Sequence, residues 1–388
     1  MKKKKLLLIV SNLKQGGFQR VCARTANLLK KDFEVYVLVF DGSEAAYPLY
    51  GVELIDIDIK PKDSKLGKLG NVLKRARKVK AIKKERQIDI TYSLGMSANL
   101  INVLSRTGDV IWSGMRSYVD LDTNTIDFVC KRSDCVICCA KILEEYFLER
   151  YPGLNTVTIY NPFDVEKIVE ESQMEVPLTE KEKEFFSGKT QLIGAMGRDD
   201  DLKGYWHLLK AFSMMRNKEA RLVIIGNGKF LRERKLIKEL HLEDRVYLTG
   251  GKTNPFAYLK YADIYAMASV NEGFPNALVE ALCLGKPVVI ANCDTGPAEI
   301  LTDDHRRVKD LDKIEVGEYG ILTPAMNTHP NYTYDSIEYG EDIFAEAVAD
   351  LLENEELCKK YRAKAAERAK CFGTEMYAEL FRKLAGIE

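Results

Sequence analysis

The stretch Asp263–Asn292, DIYAMASVNEGFPNALVEALCLGKPVVIAN, sets the fold. DIYAMAS and PVVIAN are short, apolar and β-rich, the character of buried strands. Between them Pro275 suits a first helical position, because its missing N–H would be unpaired there anyway. Gly285 suits the stop, so a helix from about Pro275 to Leu284 is expected. A strand, a crossover helix and a second strand make the unit of a parallel sheet. The segment also carries two carboxylates, Glu272 in the loop and Glu280 within the helix. Asn276 and Glu280 are four apart and share one face, while Ala277, Leu278, Ala281 and Leu282 take another and bury against the sheet.

The same alternation extends in both directions. KLLLIV, FEVYVLVF, VELIDIDI, DITYSLG, DVIWSGM, CVICCA and NTVTIYN read as strands of a first sheet; QLIGAMG, RLVIIGNG, VYLTG, DIYAMAS, PVVIAN and YGILTP read as strands of a second. Between them lies a charged, strand-poor stretch that reads as a linker with a little helix. The expected organisation is α/β: two Rossmann-like, doubly wound parallel-sheet domains facing each other across a cleft. Residues 1–165 form the first, 166–188 a linker and 189–372 the second; a terminal helix, 373–388, crosses back to the first domain. The loop Thr323–Asp342 receives no reading.

Composition narrows the class. At 388 residues the chain is long enough for two domains, and 58 basic residues balance 58 acidic ones, so no net field recruits nucleic acid. The opening MKKKKLLLIVSN has too short an apolar run for a signal peptide and reads as a first strand. Nine cysteines form no disulfide framework, and Cys135, Cys138 and Cys139 lack the second pair a zinc site needs, so they read as buried strand residues. A reduced, cytoplasmic setting follows as the expectation.

Open parallel sheets bind ligands at the carboxyl ends of their strands. There the helix after Pro275 offers free amides and the positive end of its dipole to an anion. Glu280, a turn in, can accept hydrogen bonds from a vicinal diol such as a ribose, and Glu272 can reach hydroxyls beyond the phosphates. A nucleoside diphosphate sugar meets all of these groups. The plainer reading makes Glu280 a half-exposed helix residue and Glu272 an ordinary loop residue. In GAMGRDDDLKGYWHLLKAF, Arg198 and Lys203 follow the second domain's first strand and would face the same phosphates.

Taken in order, the two-glutamate motif, the GRxxxxKG element at Gly197–Gly204 and GPAEIL at Gly296–Leu301 resemble the C-terminal domain of glycosyltransferase family 4, enzymes of the GT-B fold. SNLKQGGFQRVCARTANLL resembles that family's first glycine loop and helix, and SDCVICCAKILEEYFLERY followed by IYNPFD the end of its first domain. The resemblance implies that Arg198 and Lys203 hold the donor diphosphate and stabilise the leaving nucleotide. It implies that Glu280 binds ribose and Glu272 the sugar hydroxyls. The backbone from Gly273 through Phe274, Pro275, Asn276 and Ala277 to Leu278 would meet sugar and phosphates, and Gly17 the diphosphate. The implied reaction moves a hexose or N-acetylhexosamine, with retention, from a UDP-sugar to a growing bacterial glycan or lipid-linked acceptor. An epimerase on the same fold and an inactive nucleotide-binding partner subunit remain as alternatives.

One departure concerns the first domain. The family's histidine near the reacting sugar has no counterpart there, since His207, His241, His305 and His329 all lie in the second half. Arg116 or Ser117, in SGMRSYVDLD, takes the approximate place on the acceptor side, or Arg116 simply caps a strand end. Asp199–Asp201 imitate a metal-binding DxD motif, but between Arg198 and Lys203 they read as a solvated loop, so no metal or other cofactor is expected. Lys60–Arg86 is strongly basic, with Leu66, Leu69, Leu73 and Ala76 at helical spacing. That pattern predicts an apolar side packed inward and Lys74, Arg75 and Lys78 pointing out, a face suited to an anionic membrane surface on the cytoplasmic side.

Overall fold

The computed structural model describes residues 2–62, 64–187 and 190–387. They divide into two compact units: one runs to Pro162 and resumes at Thr374, and the other is Phe163–Gly373.

The first unit is built on β1 (Lys5–Val10), β2 (Glu34–Val39), β3 (Glu53–Asp56), β4 (Ile90–Leu94), β5 (Val110–Met115), β6 (Cys135–Cys138) and β7 (Thr156–Thr158). Their order is β3-β2-β1-β4-β5-β6-β7, every pairing parallel. Parallel strands are covered by helices on both faces, so the alternating side chains of β1 enter two different cores. Leu6, Leu8 and Val10 join Val35, Val37 and Val39 on one face, and Leu7 and Ile9 join Tyr36 and Leu38 on the other. Cys135, Cys138 and Cys139 are buried thiols on and just after β6, and burial pushes Cys135 up to about 12.

The terminal helix Thr374–Leu384 belongs to this unit, with Phe381 fully buried against Tyr92 and Trp112. The buried hydroxyls of Tyr377 and Thr25 meet at 2.6 Å and tie that helix to Gly17–Leu29. Tyr377→Phe is expected to cost about 1–2 kcal/mol in urea unfolding, because the Thr25 hydroxyl loses this partner in the core. Adding Thr25→Val should recover part of that loss; a double variant weaker by the sum of the two would show that the hydroxyl pair contributes nothing.

The basic helix, Lys65–Arg86, packs differently from expectation. Leu66, Leu69 and Leu73 are 85%, 60% and 50% exposed, and of the anticipated stripe only Ala76 is buried. The packed face is Val72, Ala76, Val79 and Ile82. Helical spacing shows which residues share a face, but a buried charge decides here which face turns inward. Lys83 lies in the core with its ammonium 2.8 Å from Asp109, both side chains fully shielded. Burial lowers the Lys83 pKa to about 8 despite Asp109. Burial also works against the Asp109 charge, yet Lys83, Thr91 and the Thr107 amide outweigh it and hold the carboxyl below its ordinary value. Nor do Arg75 and Lys78 simply point out. Both donate to backbone carbonyls of the following segment of the sheet edge, at Ile59 and Ile57.

The second unit carries β8 (Leu192–Met196), β9 (Arg221–Ile225), β10 (Val246–Leu248), β11 (Ile264–Met267), β12 (Val288–Ala291), β13 (Glu315–Val316) and β14 (Ile321–Thr323). The order is β10-β9-β8-β11-β12-β14-β13. Only the β13–β14 pair is antiparallel, a two-residue edge with no pattern for sequence reading to detect. The segment expected as a linker with a little helix, 166–188, carries the helices Val165–Gln173 and Glu180–Phe186 and groups with the second unit. Glu182 completes a capping box with Thr179 and accepts Lys252 at 2.7 Å, so its charges are structural. The expected boundary at 188 and 189 lies outside the described residues. No helix among the described residues is long and apolar enough to cross a membrane.

Candidate functional site

In the second sheet the chain builds β8, β9 and β10 outward in one direction, then returns to place β11 on the other side of β8. The loops that leave the carboxyl ends of β8 and β11 therefore diverge, and such a switch point is where open α/β sheets hold ligands. The first of these loops is Gly197–Gly204, with Arg198 and Lys203. The second is Ala268–Pro275, with Glu272. Both sequence motifs thus meet at one place in the topology.

An ion pair joins them. Lys203 Nζ donates to Glu272 Oε1 at 2.7 Å, with the two side chains 23% and 10% exposed. The approach depends on Gly204, which has a left-handed φ of 59°. A side chain there would place its first carbon 2.0 Å from the Ala268 carbonyl oxygen, so only glycine lets the two loops touch. The Val270 amide donates to the Leu202 carbonyl at 3.0 Å and fixes the register between them. Arg198 is the exposed member: its side chain is 57% exposed, and its guanidinium rests on Asp200 at 2.7 Å.

The helix between β11 and β12 is Asn276–Cys283. Pro275 stands at its N-cap with ψ of 95°, one position earlier than expected, because its backbone is still extended. Asn276 and Ala277 are half-buried and form the accessible entry, whereas Leu278, Val279 and Glu280 are buried. Glu280 is 1% exposed, so the half-exposed alternative does not hold. Tyr265, wholly buried on β11, has its phenol pushed up by burial and then by the charges of Glu272 and Glu280.

A third loop, after β12, closes on the same spot. The Thr295 hydroxyl donates to the Glu272 carbonyl oxygen. Gly296, φ 95°, leads into Pro297–Leu301; a side chain there would meet the Pro275 ring at 2.3 Å. Burial pushes the neighbouring Cys293 thiol up, reinforced by Glu272 and Asp294 and opposed by Lys203. Sequence reasoning did not pick out Tyr265, Thr295 or Tyr205. The Tyr205 hydroxyl is buried without a hydrogen-bond partner among the described residues, and it lies against Gly197. A glycine-restricted turn opposite an aromatic was the one signal available for it.

Each member of the DxD-like run has a structural task. Asp199 accepts the Phe230 amide at 2.7 Å, Asp200 caps a short turn through the Leu202 amide and holds Arg198, and Asp201 pairs with Arg232 and meets the Tyr332 hydroxyl at 3.3 Å. One other group among the described residues brings metal-type ligands together: His207, Glu338 and Glu341. His207 Nδ1 is 2.7 Å from Glu341 and Nε2 is 2.9 Å from the Asn327 carbonyl, while Lys210 Nζ lies 3.7 Å from Glu341 and donates to the Ser336 carbonyl. Lys210 already supplies a cation there. The group straps residues 327–341 to the helix Tyr205–Met214, which gives the unread loop a structural account.

The first unit has its own switch point, between β1 and β4. Gly17 opens the helix Gly17–Leu29 in the loop after β1, and the Gly16 amide just before it is held by the Tyr47 hydroxyl at 3.0 Å. Arg116, after β5, is half-buried and donates to Asn161. Burial opposes its charge, but Cys139, Tyr92, Tyr377 and Asp120 around it outweigh that and raise its pKa. Ser117 caps the turn Tyr118–Asp122, with the Asp120 carboxylate accepting both its amide and that of Arg116.

Residues 178–309 match the family described as Glycosyl transferases group 1. An uncharacterised glycosyltransferase of Methanocaldococcus jannaschii is 32% identical over 241 residues, 61% of this chain and 58% of that protein, so the chain spans just over half of it. A Campylobacter jejuni N-acetylgalactosamine-N,N'-diacetylbacillosaminyl-diphospho-undecaprenol 4-alpha-N-acetylgalactosaminyltransferase is 25% identical over 386 residues, 95% of each chain. Among solved structures, Anabaena HepE in complex with UDP and glucose superposes with a TM-score of 0.75 at 17% identity, covering 99% of this chain and 100% of that one. The sucrose-phosphate synthase of Thermosynechococcus elongatus superposes with a TM-score of 0.75 at 16% identity, covering 99% and 100%. The matched segment contains all three loops of the switch point and is similar to the group 1 glycosyltransferases, and the fold of the chain is the GT-B fold of these neighbours.

Proposed function

We propose that the protein transfers a hexose or N-acetylhexosamine, with retention, from a UDP-sugar to a growing glycan carried on lipid at the cytoplasmic face of a membrane. The observation that carries this reading is the Lys203–Glu272 pair bridging the two loops at the switch point. It places a fixed cation and a hydroxyl acceptor side by side, where a leaving diphosphate and its sugar would lie. The UDP complex of the Anabaena neighbour and the diphospho-undecaprenol substrate named for the Campylobacter relative support the donor and the acceptor class.

In the proposed reaction Lys203 and Arg198 neutralise the charge that grows on the diphosphate as the glycosidic bond breaks. Glu272 orients the sugar hydroxyls, the backbone from Gly273 to Leu278 receives sugar and phosphate, and Glu280 takes the ribose diol. The acceptor hydroxyl enters from the face the nucleotide leaves, which needs no carboxylate nucleophile. Gly17 at the diphosphate and Arg116 and Ser117 toward the acceptor complete the assignment. The reaction is proposed to be metal-independent, because Lys203 and Arg198 supply positive charge and Asp199–Asp201 are engaged elsewhere.

Thermal unfolding with UDP, GDP, ADP and CMP, with and without magnesium, tests this reading. At a hundred times its Kd, UDP should raise the unfolding temperature by about 5–10 °C without metal. A shift that requires magnesium would overturn the metal-free diphosphate site, and no shift with any nucleotide would leave the transferase reading without its donor; a UDP shift with no transfer to any acceptor would favour an inactive nucleotide-binding partner subunit. UDP release or an epimerised sugar in the absence of acceptor would identify the epimerase instead.

A further inference from the structure

Residues 327–341 carry one side chain that touches the loop holding Lys203. The segment is fixed on both sides of it, since His207 holds Asn327 and Glu341, and Lys210 holds Ser336. Between these anchors Tyr332 is half-buried, its ring centroid 5.7 Å from that of Trp206 and 4.7 Å from the Arg232 guanidinium. Its hydroxyl donates to Glu233 Oε1 at 2.6 Å and stands 3.3 Å from Asp201 Oδ1. Glu233, 1% exposed, lies in the first turn of the helix Leu231–Glu239, and its other oxygen has no hydrogen-bond partner among the described residues. A buried carboxylate so short of donors grips the one it has, which holds the Tyr332 hydroxyl in place. Burial and then Glu233 push the phenol up, so it keeps the proton it shares.

Asp201 connects this cluster to the candidate site. It opens the turn Asp201–Lys203, whose last residue is Lys203 itself. From outside the turn, Arg232 and the Tyr332 hydroxyl clamp its carboxylate. From inside, the Val270 amide on the Leu202 carbonyl and the approach of Gly204 to Ala268 hold the same short stretch. The turn is otherwise open, with Leu202 44% exposed. The outer restraint on a three-residue turn therefore falls on Asp201, and a shift there carries Lys203 with it. A misplacement of about 1 Å in a group that acts on the reacting atoms can cost about a hundredfold in rate.

We propose that Tyr332 is a positioning residue for Lys203: through Asp201 it keeps the turn, and so the ammonium, where the leaving diphosphate meets it. This role presupposes the sugar transfer proposed for the site. Tyr332→Phe removes the hydroxyl and leaves the ring against Arg232. It is expected to lower kcat at saturating donor about tenfold, with KM for the donor changed less than about twofold. Asp201→Ala, at a partly exposed position, should do the same, and the two together should cost little more than either alone. In a Lys203→Ala chain neither should lower kcat further, because the cation they position is gone. Glu233 also loses its donor in Tyr332→Phe, so unfolding temperatures are measured and kinetics run well below them; Asp201→Ala leaves Glu233 paired. Amide exchange reads the turn without turnover: deuterium uptake across Leu202–Gly204 should be several-fold faster in Tyr332→Phe and unchanged in the core strand Leu192–Met196. Equal losses of kcat in the parent and Lys203→Ala chains would mean a generally loosened unit and overturn the proposal, as would unchanged kcat or unchanged exchange in the turn. A parent chain that transfers no sugar would instead overturn the transfer reaction, and this role with it.

Discussion

Lys203→Ala is expected to lower kcat by about a hundred- to a thousandfold at saturating donor, the range seen when a fixed stabilising donor is removed from a transition state. In the proposed transfer the nucleotide leaves as a diphosphate, and its charge grows as the glycosidic bond opens. Lys203 is already in place for that event. Glu272 holds its ammonium at 2.7 Å, and the Gly204 turn presses its loop against the end of β11. A cation oriented in advance need not reorganise while the bond breaks, which is why its effect falls on kcat. Arg198 cannot fully replace it, because its exposed side chain rests on Asp200 and has to move to reach a phosphate. Removing Lys203 also leaves Glu272 largely buried beside a small side chain, so the unfolding temperature is measured alongside. Lys203→Arg should recover part of the turnover by restoring charge. A raised KM with unchanged kcat would make Lys203 a ground-state contact, and full turnover would remove it from the site.

The sheets were legible in the sequence because parallel strands buried on both faces leave uninterrupted apolar runs. LLLIV in β1 needed no partner to be recognised. β13 has two residues and an antiparallel edge position, so nothing in its composition marks it. The charged stretch before the second sheet misled for a related reason. A surface helix such as Glu180–Phe186 can be mostly charged when a capping box and an ion pair to Lys252 hold it, and composition alone resembles a linker. The basic helix was placed correctly along the chain and rotated wrongly about its axis. The leucines outrank Val72 and Val79 in size, and the demand of Asp109 for a buried partner is invisible until β5 and the helix are brought together.

The candidate site divides along the same line. Arg198, Lys203, Glu272 and Glu280 were singled out as candidates because charge and glycine stand out against apolar surroundings. What the sequence did not reveal was their pairing. Lys203 and Glu272 are 69 residues apart, and only the return of the chain across β8 makes their loops neighbours. Thr295 and Tyr265 were missed because a threonine in a loop and a tyrosine in a strand are ordinary residues. Their place beside Glu272 is a property of the sheet order.

The second large effect is expected at Glu280. Glu280→Ala should weaken UDP binding by about ten- to a hundredfold, the loss of hydrogen bonds to a charged acceptor worth about 1.5–3 kcal/mol. Glu280 is 1% exposed and shares the surroundings of Tyr265 with Glu272. It stands four residues beyond Asn276, the half-buried entrance of its helix. An ionised carboxylate only accepts hydrogen bonds, and its two oxygens match the two hydroxyls of a ribose. A buried glutamate can also support its own helix, so loss of affinity alone does not identify the contact. Removing the partner from the other side does. UDP and 2′-deoxy-UDP are titrated against the parent chain and Glu280→Ala, and the four values close a double-mutant cycle. If Glu280 holds the diol, the parent discriminates against the deoxy nucleotide and the variant loses much of that discrimination. If the carboxylate only supports the helix, both proteins discriminate equally, and the ribose is recognised elsewhere.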